Sequence, residues 1–178
     1  RFILSKGHAC PSLYAILAET GYFDTAKLDT LRQFGSTLQG HPCMKTPPGI
    51  EVPGGSLGQG LSVGLGIALA ANLDKKDYRT YVMLGDGEIE EGQVWEAAMA
   101  ASHYKVDNLC AVLDQNGLQI DSFIHVIMSS YPIPDKWRGF GWHVIEIDGH
   151  NSESILAAFD EAEKIKGRPT VIVAKTVK

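Results

Sequence analysis

The side chains best suited to chemistry follow two short apolar runs of the sequence. The first group is Gly85–Gly87, directly after Thr80–Leu84, and the second is Asp114–Gly117, directly after Leu109–Leu113. Each group holds an aspartate among glycine or amide residues. Carboxylate and amide oxygens are hard ligands that suit Mg²⁺, which often takes its remaining oxygens from a phosphate. The glycines beside them have no side chain, so an anion can come close to their N–H groups.

Asp86 and Asn116 are the two strongest candidates, and they lie 30 positions apart. If one crossover helix separates two parallel strands, their carboxyl ends meet at one edge of the sheet, where such folds bind ligands. The alternative is that both residues are turn formers, which are common after strands. Their occurrence together after two adjacent strands favours a joint ligand site.

The elements that would position these residues alternate between strand and helix. Four nearly continuous apolar runs predict buried parallel strands at Thr80–Leu84, Leu109–Leu113, Val144–Ile147 and Thr170–Ala174. Apolar periodicity predicts helices at Pro11–Glu19, Thr25–Phe34, Ser56–Leu73, Glu91–Tyr104 and Ser152–Ile165. The predicted fold class is therefore α/β, a mostly parallel sheet with helices on both faces.

An uncharged stretch, Val52–Leu73, is long enough to span a bilayer. Its six glycines and its polar residues argue against a lipid-facing helix and favour a buried one. Small residues recur there at every fourth position, namely Ser56, Gly60, Gly64 and Ala68. Such a strip allows another backbone to approach closely, and we expect part of that contact to come from another subunit.

Composition excludes several classes of protein. The 178 residues carry a net charge of −5 without a basic stripe, which argues against nucleic-acid and membrane binding. Three distant cysteines cannot form a disulfide framework, so we expect a reducing, cytoplasmic location. We expect one domain over residues 1–178, truncated at both ends, because the chain starts without Met and its last predicted strand runs almost to Lys178.

A rival metal site is also conceivable from the residue types alone. His8, Cys10, His41 and Cys43 supply two imidazoles and two thiols, a set that can bind Zn²⁺ tetrahedrally. Neither spacing is that of a zinc finger, so this interpretation is the weaker one.

Five segments together resemble the N-terminal, diphosphate-binding domain of transketolase. They are Arg1–His8, Leu38–Pro42, Gly55–Gly60, Leu84–Gln93 and Asn116–Asp121. The resemblance covers essentially the whole chain in order, and it is greatest to the N-terminal subunit of split bacterial or archaeal transketolases. One departure is Ser122–His125, which differs from the residues that often follow this motif in the family, so the loop there is expected to be shaped differently.

The resemblance implies specific roles for residues of this chain. The implied Mg²⁺ ligands are the Asp86 carboxylate, the Asn116 side chain and the Leu118 backbone carbonyl. The implied contacts to thiamine diphosphate come from His8, Gly55, Ser56, Leu57, Gly87 and Asn116. His41 would be catalytic at the substrate, and Glu91 matches a buried glutamate that communicates across the family's subunit interface. Asp114 has no assigned ligand role, so its substitution is expected to cost less than that of Asp86. His103, His125, His143 and His150 are expected to be surface or packing residues.

The resemblance also implies the activity. With thiamine diphosphate and Mg²⁺, a transketolase of the pentose phosphate pathway moves a two-carbon ketol unit from a ketose phosphate to an aldose phosphate. The acid that activates the cofactor would come from a pyrimidine-binding subunit or domain, in a dimer or heterotetramer. Three alternatives stay open: another thiamine diphosphate enzyme, such as deoxyxylulose-phosphate synthase; a specialised transketolase for an unusual sugar phosphate; and a non-catalytic binding partner.

Overall fold

The chain folds around a five-stranded parallel sheet. The computed structural model describes residues 1–120 and 122–178. The strands of the sheet are β1 Phe2–Leu4, β2 Thr80–Gly85, β3 Leu109–Gln115, β6 His143–Asp148 and β7 Thr170–Lys175, and they lie in the order β1-β2-β3-β7-β6. A small antiparallel pair, β4 (Leu118–Gln119) and β5 (Ser122–Phe123), lies between β3 and β6 in the sequence. The predicted α/β class and all four predicted strands are confirmed.

Six helices accompany the sheet within the described residues. They are α1 Cys10–Glu19, α2 Gln59–Leu73, α3 Gly92–His103, α4 Ile124–Ile127, α5 Ile133–Gly139 and α6 Ser152–Lys164. The helix expected at Thr25–Phe34 is instead a 3₁₀ segment, Thr25–Thr30, capped by the Asp24 side chain. Helix α2 starts three residues later than expected, because Gly58 at its N-cap has a φ of 84°, which ends the preceding loop.

The two faces of the sheet are covered by different helices, because alternate residues of each strand point to opposite sides. Val82, Leu113 and Val173 point to the face that packs against α2, α3 and α5. Cys110 and Ile172 point to the other face, where α6 covers them. Helix α1 lies over Leu4 and Met83 on that second face. Loops at the carboxyl ends are thereby held between two packed layers.

The small residues of α2 pack against residues of this chain's own sheet and of the loop after β1. A Cβ atom at Gly60 would lie 2.4 Å from the Ser5 Cβ, and one at Gly64 would lie 2.4 Å from Val82 Cγ2. Gly60, Gly64 and Ala68 are buried, whereas Ser56 precedes the helix and is exposed. In the part of the chain that is described, no helix combines the length and the apolar character that a membrane span requires.

Replacing Gly64 by alanine is expected to destabilise the protein. Val82 is fully buried and β-branched, so it cannot rotate away from the added methyl group, and overpacking of this kind costs about 1–3 kcal/mol. Gly66→Ala is the matched control, because a Cβ at this exposed position of the same helix meets open space. It should stabilise the helix by up to about 1 kcal/mol. Urea unfolding measures both, and an equal effect of the two substitutions would contradict the packing described.

Candidate functional site

A cavity opens at the carboxyl ends of the strands, where parallel sheets bind ligands. Its volume is about 800 Å³. It is lined by Lys6, His8, Ala9, His41, Gly55, Leu57, Met83, Gly85, Asp86, Gly87, Glu88, Asp114, Asn116, Leu118, Gln119, Ile120, His150, Thr176, Val177 and Lys178. All the site residues expected from the sequence therefore line one cavity, except Ser56. Asp121, in the last of the resembling segments, lies outside the described residues.

Asp86 is the most buried acid at the cavity, with 1% of its surface exposed. Its Oδ1 accepts a hydrogen bond from Gly87 N at 3.0 Å, and its Oδ2 accepts one from Gly117 N at 2.6 Å. Burial raises the pKa of Asp86, although these two N–H donors oppose the shift. Among residues 1–120 and 122–178, Asp86 has no ion-pair partner. A bound cation would supply the missing counter-charge.

Asn116 and Leu118 lie beside Asp86, because the Asp86–Gly117 hydrogen bond joins the loops after β2 and β3. The Asn116 Nδ2 donates to Asp114 Oδ2 at 3.2 Å, and its Oδ1 accepts from Leu118 N at 3.0 Å. An amide oxygen has two lone pairs, so Oδ1 keeps one for another partner. Carboxylate, amide and carbonyl oxygens are the donor set that Mg²⁺ takes. The residues present fit such an ion.

The loops on the opposite wall of the cavity carry the two histidines. A Cβ atom at Gly55 would lie 3.3 Å from His41 Cγ, so the missing side chain lets the imidazole approach the backbone. Gly55 also has a φ of 121°, which glycine adopts readily. His8 is in the 3₁₀ segment Gly7–Ala9. Partial burial, with the nearby charge of Lys6, lowers the pKa of His8, which favours a neutral imidazole.

A buried ion pair at the cavity was not predicted from the sequence. Lys6 Nζ donates to Asp114 Oδ2, and the Thr176 hydroxyl donates to Asp114 Oδ1. Burial alone would raise the pKa of Asp114, but hydrogen bonds from Lys6 and Thr176 hold it below its ordinary value. No sequence signal marked this pair, because the apolar run of β1 has only three residues and Lys6 lies beyond its end, between Ser5 and Gly7.

Glu88 is a second buried acid that sequence analysis missed. It is 3% exposed and accepts hydrogen bonds from the Ser5 hydroxyl, from Gly58 N at 2.9 Å and from Gly85 N at 3.0 Å. It therefore joins the loop before α2 to the end of β2. Glu91, expected to be buried, is exposed in this chain and occupies the N-cap position of α3. The buried glutamate of this segment is Glu88.

His150 was expected to be a surface or packing residue; it is exposed, as expected, but it also has a defined position at the cavity. It lines the cavity, and its Nε2 accepts a hydrogen bond from Val177 N at 2.9 Å. This contact holds the segment after β7 against the cavity wall. No sequence signal distinguished His150 from the other unassigned histidines, because the contact depends on how the ends of β6 and β7 pair.

The alternative zinc site is wrong for the residues that the structure describes, since they contain no cluster of three or more His, Cys, Asp or Glu able to hold a metal. The Cys10 thiol is fully buried and donates to the Gly40 carbonyl oxygen at 3.1 Å. Burial also raises the pKa of Cys10, which disfavours the thiolate that zinc requires.

Comparison with known proteins gives one consistent family. The sequence profile of the transketolase thiamine diphosphate-binding domain matches residues 1–178. The chain is 47% identical over 178 residues to a 6-deoxy-6-sulfo-D-fructose transketolase subunit from Clostridium sp. (strain MSTE9) and 46% identical to an apulose-4-phosphate transketolase subunit from Phocaeicola vulgatus. All of this chain is matched in both, but it spans only 65% and 63% of their lengths.

Solved structures agree with this family. A transketolase from Pichia stipitis superposes with a TM-score of 0.91 at 38% identity, over 99% of this chain and 28% of its own. A transketolase from Leishmania mexicana gives a TM-score of 0.90 at 38% identity, with the same coverage. The five-stranded parallel arrangement is therefore that of the transketolase domain.

Glu88→Gln is expected to destabilise the protein although the two side chains are nearly the same size. An amide presents an N–H₂ group where buried donors now find an acceptor, and each unmatched buried donor costs about 1–3 kcal/mol. Glu90→Gln is the control, because Glu90 is exposed, and it should change stability by less than about 0.5 kcal/mol. The two urea midpoints, compared at unchanged m-value, test this. Equal midpoints would show that Glu88 does not join the two loops.

Proposed function

The chain belongs to the family of transketolase thiamine diphosphate-binding domains, and from this we propose that it is the cofactor-anchoring part of a two-subunit transketolase. The proposed enzyme transfers a two-carbon ketol unit from a ketose phosphate to an aldose phosphate. The whole of this chain aligns with part of two relatives that are named as transketolase subunits. They support a separate pyrimidine-binding chain as the partner, in a dimer or heterotetramer.

The observation that carries this proposal is the buried carboxylate of Asp86, on the wall of a large cavity, for which residues 1–120 and 122–178 supply no counter-charge. The Asn116 side chain and the Leu118 backbone lie next to it. We propose that Asp86, Asn116 Oδ1 and the Leu118 carbonyl oxygen bind Mg²⁺. The cation would neutralise Asp86 and favour its ionised form, which burial alone disfavours. It would also attract the diphosphate group that Asp86 would otherwise repel.

Other residues of the cavity suit the organic part of thiamine diphosphate and its phosphates. Gly87 N–H and a neutral His8 provide hydrogen-bond donors for phosphate oxygens. Gly55 and Leu57 line the cavity from the loop that also contains Ser56, and Leu57 offers an apolar contact to the cofactor's rings. When bound, thiamine diphosphate supplies the electron sink for breaking the carbon–carbon bond of the ketose.

His41 is the proposed catalytic residue. Its imidazole lies across the Gly55 backbone at the cavity, at a position where it can hold a proton or bind a hydroxyl group of the sugar. Substrate identity is proposed only as a class, because the two related proteins are named for different sugars, 6-deoxy-6-sulfo-D-fructose and apulose 4-phosphate. The pentose phosphate pathway and the cytoplasm remain the proposed setting.

Reconstitution tests the function directly. The full-length protein alone should show neither ketol transfer nor fast H/D exchange at thiamine C2, because the acid that activates the pyrimidine ring is proposed to belong to the partner. Mixing with a pyrimidine-binding subunit in the presence of Mg²⁺ should produce both, and EDTA should abolish both. NMR follows the exchange. Fast exchange in the isolated protein would contradict the two-subunit proposal.

Asp86→Ala should abolish activity in the reconstituted pair, since it removes the only charged ligand proposed for the cation. Asp160→Ala is the matched control, because Asp160 is exposed on α6, and it should leave activity unchanged. Full activity of Asp86→Ala would contradict the proposed metal site.

A further inference from the structure

The strongest unassigned feature of the molecule is the buried network around Asp114. Lys6 and Thr176 both donate to this carboxylate, and the two side chains of the ion pair are only 7% and 16% exposed. Lys6 follows β1, Asp114 lies in β3, and Thr176 follows β7. Strand β2 lies between β1 and β3, so Lys6 must cross the end of β2 to reach Asp114. It does so beside Gly85, where a Cβ atom would lie 3.9 Å from Lys6 Cβ. One carboxylate thus gathers the ends of three strands.

The same carboxylate also contacts a proposed ligand of the cation. Asp114 Oδ2 accepts a hydrogen bond from Asn116 Nδ2 at 3.2 Å. An amide has a donor end and an acceptor end, and only the acceptor end binds a metal ion. By accepting from Nδ2, Asp114 holds the donor end of the Asn116 amide toward itself, so that Oδ1 stays beside Leu118 N.

We propose that Asp114 is a positioning residue, which holds the Asn116 amide in the one orientation that offers its oxygen to the cation. This inference rests on the proposed function. Asp114 is a weaker candidate for a ligand than Asp86, because its charge is already paired with Lys6 and it also accepts hydrogen bonds from Thr176 and Asn116. The Lys6 charge compensates that of Asp114, so the second acid at the sheet edge adds little repulsion toward a diphosphate. Contacts of this kind around metal ligands are worth about 10–100-fold in metal affinity.

This gives a different expectation for Asp114 from the one drawn from the sequence. A residue with no ligand role was expected to tolerate substitution better than Asp86. The structure places it in contact with a proposed ligand and with a buried lysine, so substitution affects both the ion and the end of the sheet.

The test is Mn²⁺ affinity, measured by electron paramagnetic resonance on the full-length protein with saturating thiamine diphosphate. Asp114→Asn should weaken Mn²⁺ binding by about 10–100-fold. The double variant Asp114→Asn/Asn116→Asp should recover at least about tenfold over the single variant, because a carboxylate at 116 has two equivalent oxygens and needs no orientation. Asp135→Asn is the control, since Asp135 makes only an exposed ion pair, and it should leave the affinity unchanged.

The outcomes separate the two proposals. No Mn²⁺ binding by the unaltered protein would contradict the proposed function itself. Unchanged affinity in Asp114→Asn, or no recovery in the double variant, would overturn the positioning role while leaving that function intact. If Asp114→Asn does not fold, the unaltered protein gives the answer by NMR. Exchange of the Asn116 side-chain N–H₂ should be slow in the Mg²⁺ complex, and exchange at the rate of an exposed amide would overturn the inference.

Discussion

The parallel register between β2 and β3 determines what the edge of the sheet can hold, because Gly85 pairs with Asp114 and both strands end within one residue of that pair. Asp86 and Asn116 then leave the sheet from neighbouring strands, and the Gly117 N–H reaches the Asp86 carboxylate. A slip of one residue would turn every side chain of one strand to the opposite face and separate these groups. The buried faces of both strands, packed against α2, α3 and α6, prevent that slip.

Two carboxylates at this edge have opposite electrostatic environments. Asp114 forms an ion pair with Lys6, whereas Asp86 is buried without a charged partner among the described residues. The negative charge of Asp114 also raises the pKa of Asp86, though less than burial does. This difference supports the proposed cation-binding role of Asp86 and the proposed positioning role of Asp114. The environments of Asp86 and Asp114 both depend on backbone N–H groups and side chains that the ends of four strands bring together.

Much of the fold followed from the sequence, because buried parallel strands are apolar throughout and the helices between them are periodic. Strand β1 was missed because three residues carry too little pattern, and its absence hid the position of Lys6. Asp86 and Asn116 were predicted to be neighbours from topology alone. Glu88 and His150 were not identified, since Glu88 bonds to Ser5, 83 positions away, and His150 to Val177, 27 positions away, and no local pattern reports such contacts. The exposed Glu91 shows the converse, in which a resemblance implied burial that this chain alone does not provide.

We propose that Asp86, Asn116 and Leu118 form one cation site at the ends of β2 and β3. Anomalous scattering from Mn²⁺ in crystals grown with thiamine diphosphate would locate this cation. We expect a single strong peak in the cavity, about 2.1 Å from an Asp86 carboxylate oxygen, Asn116 Oδ1 and the Leu118 carbonyl oxygen. A peak bound by Asp114, or one outside the cavity, would contradict the claim.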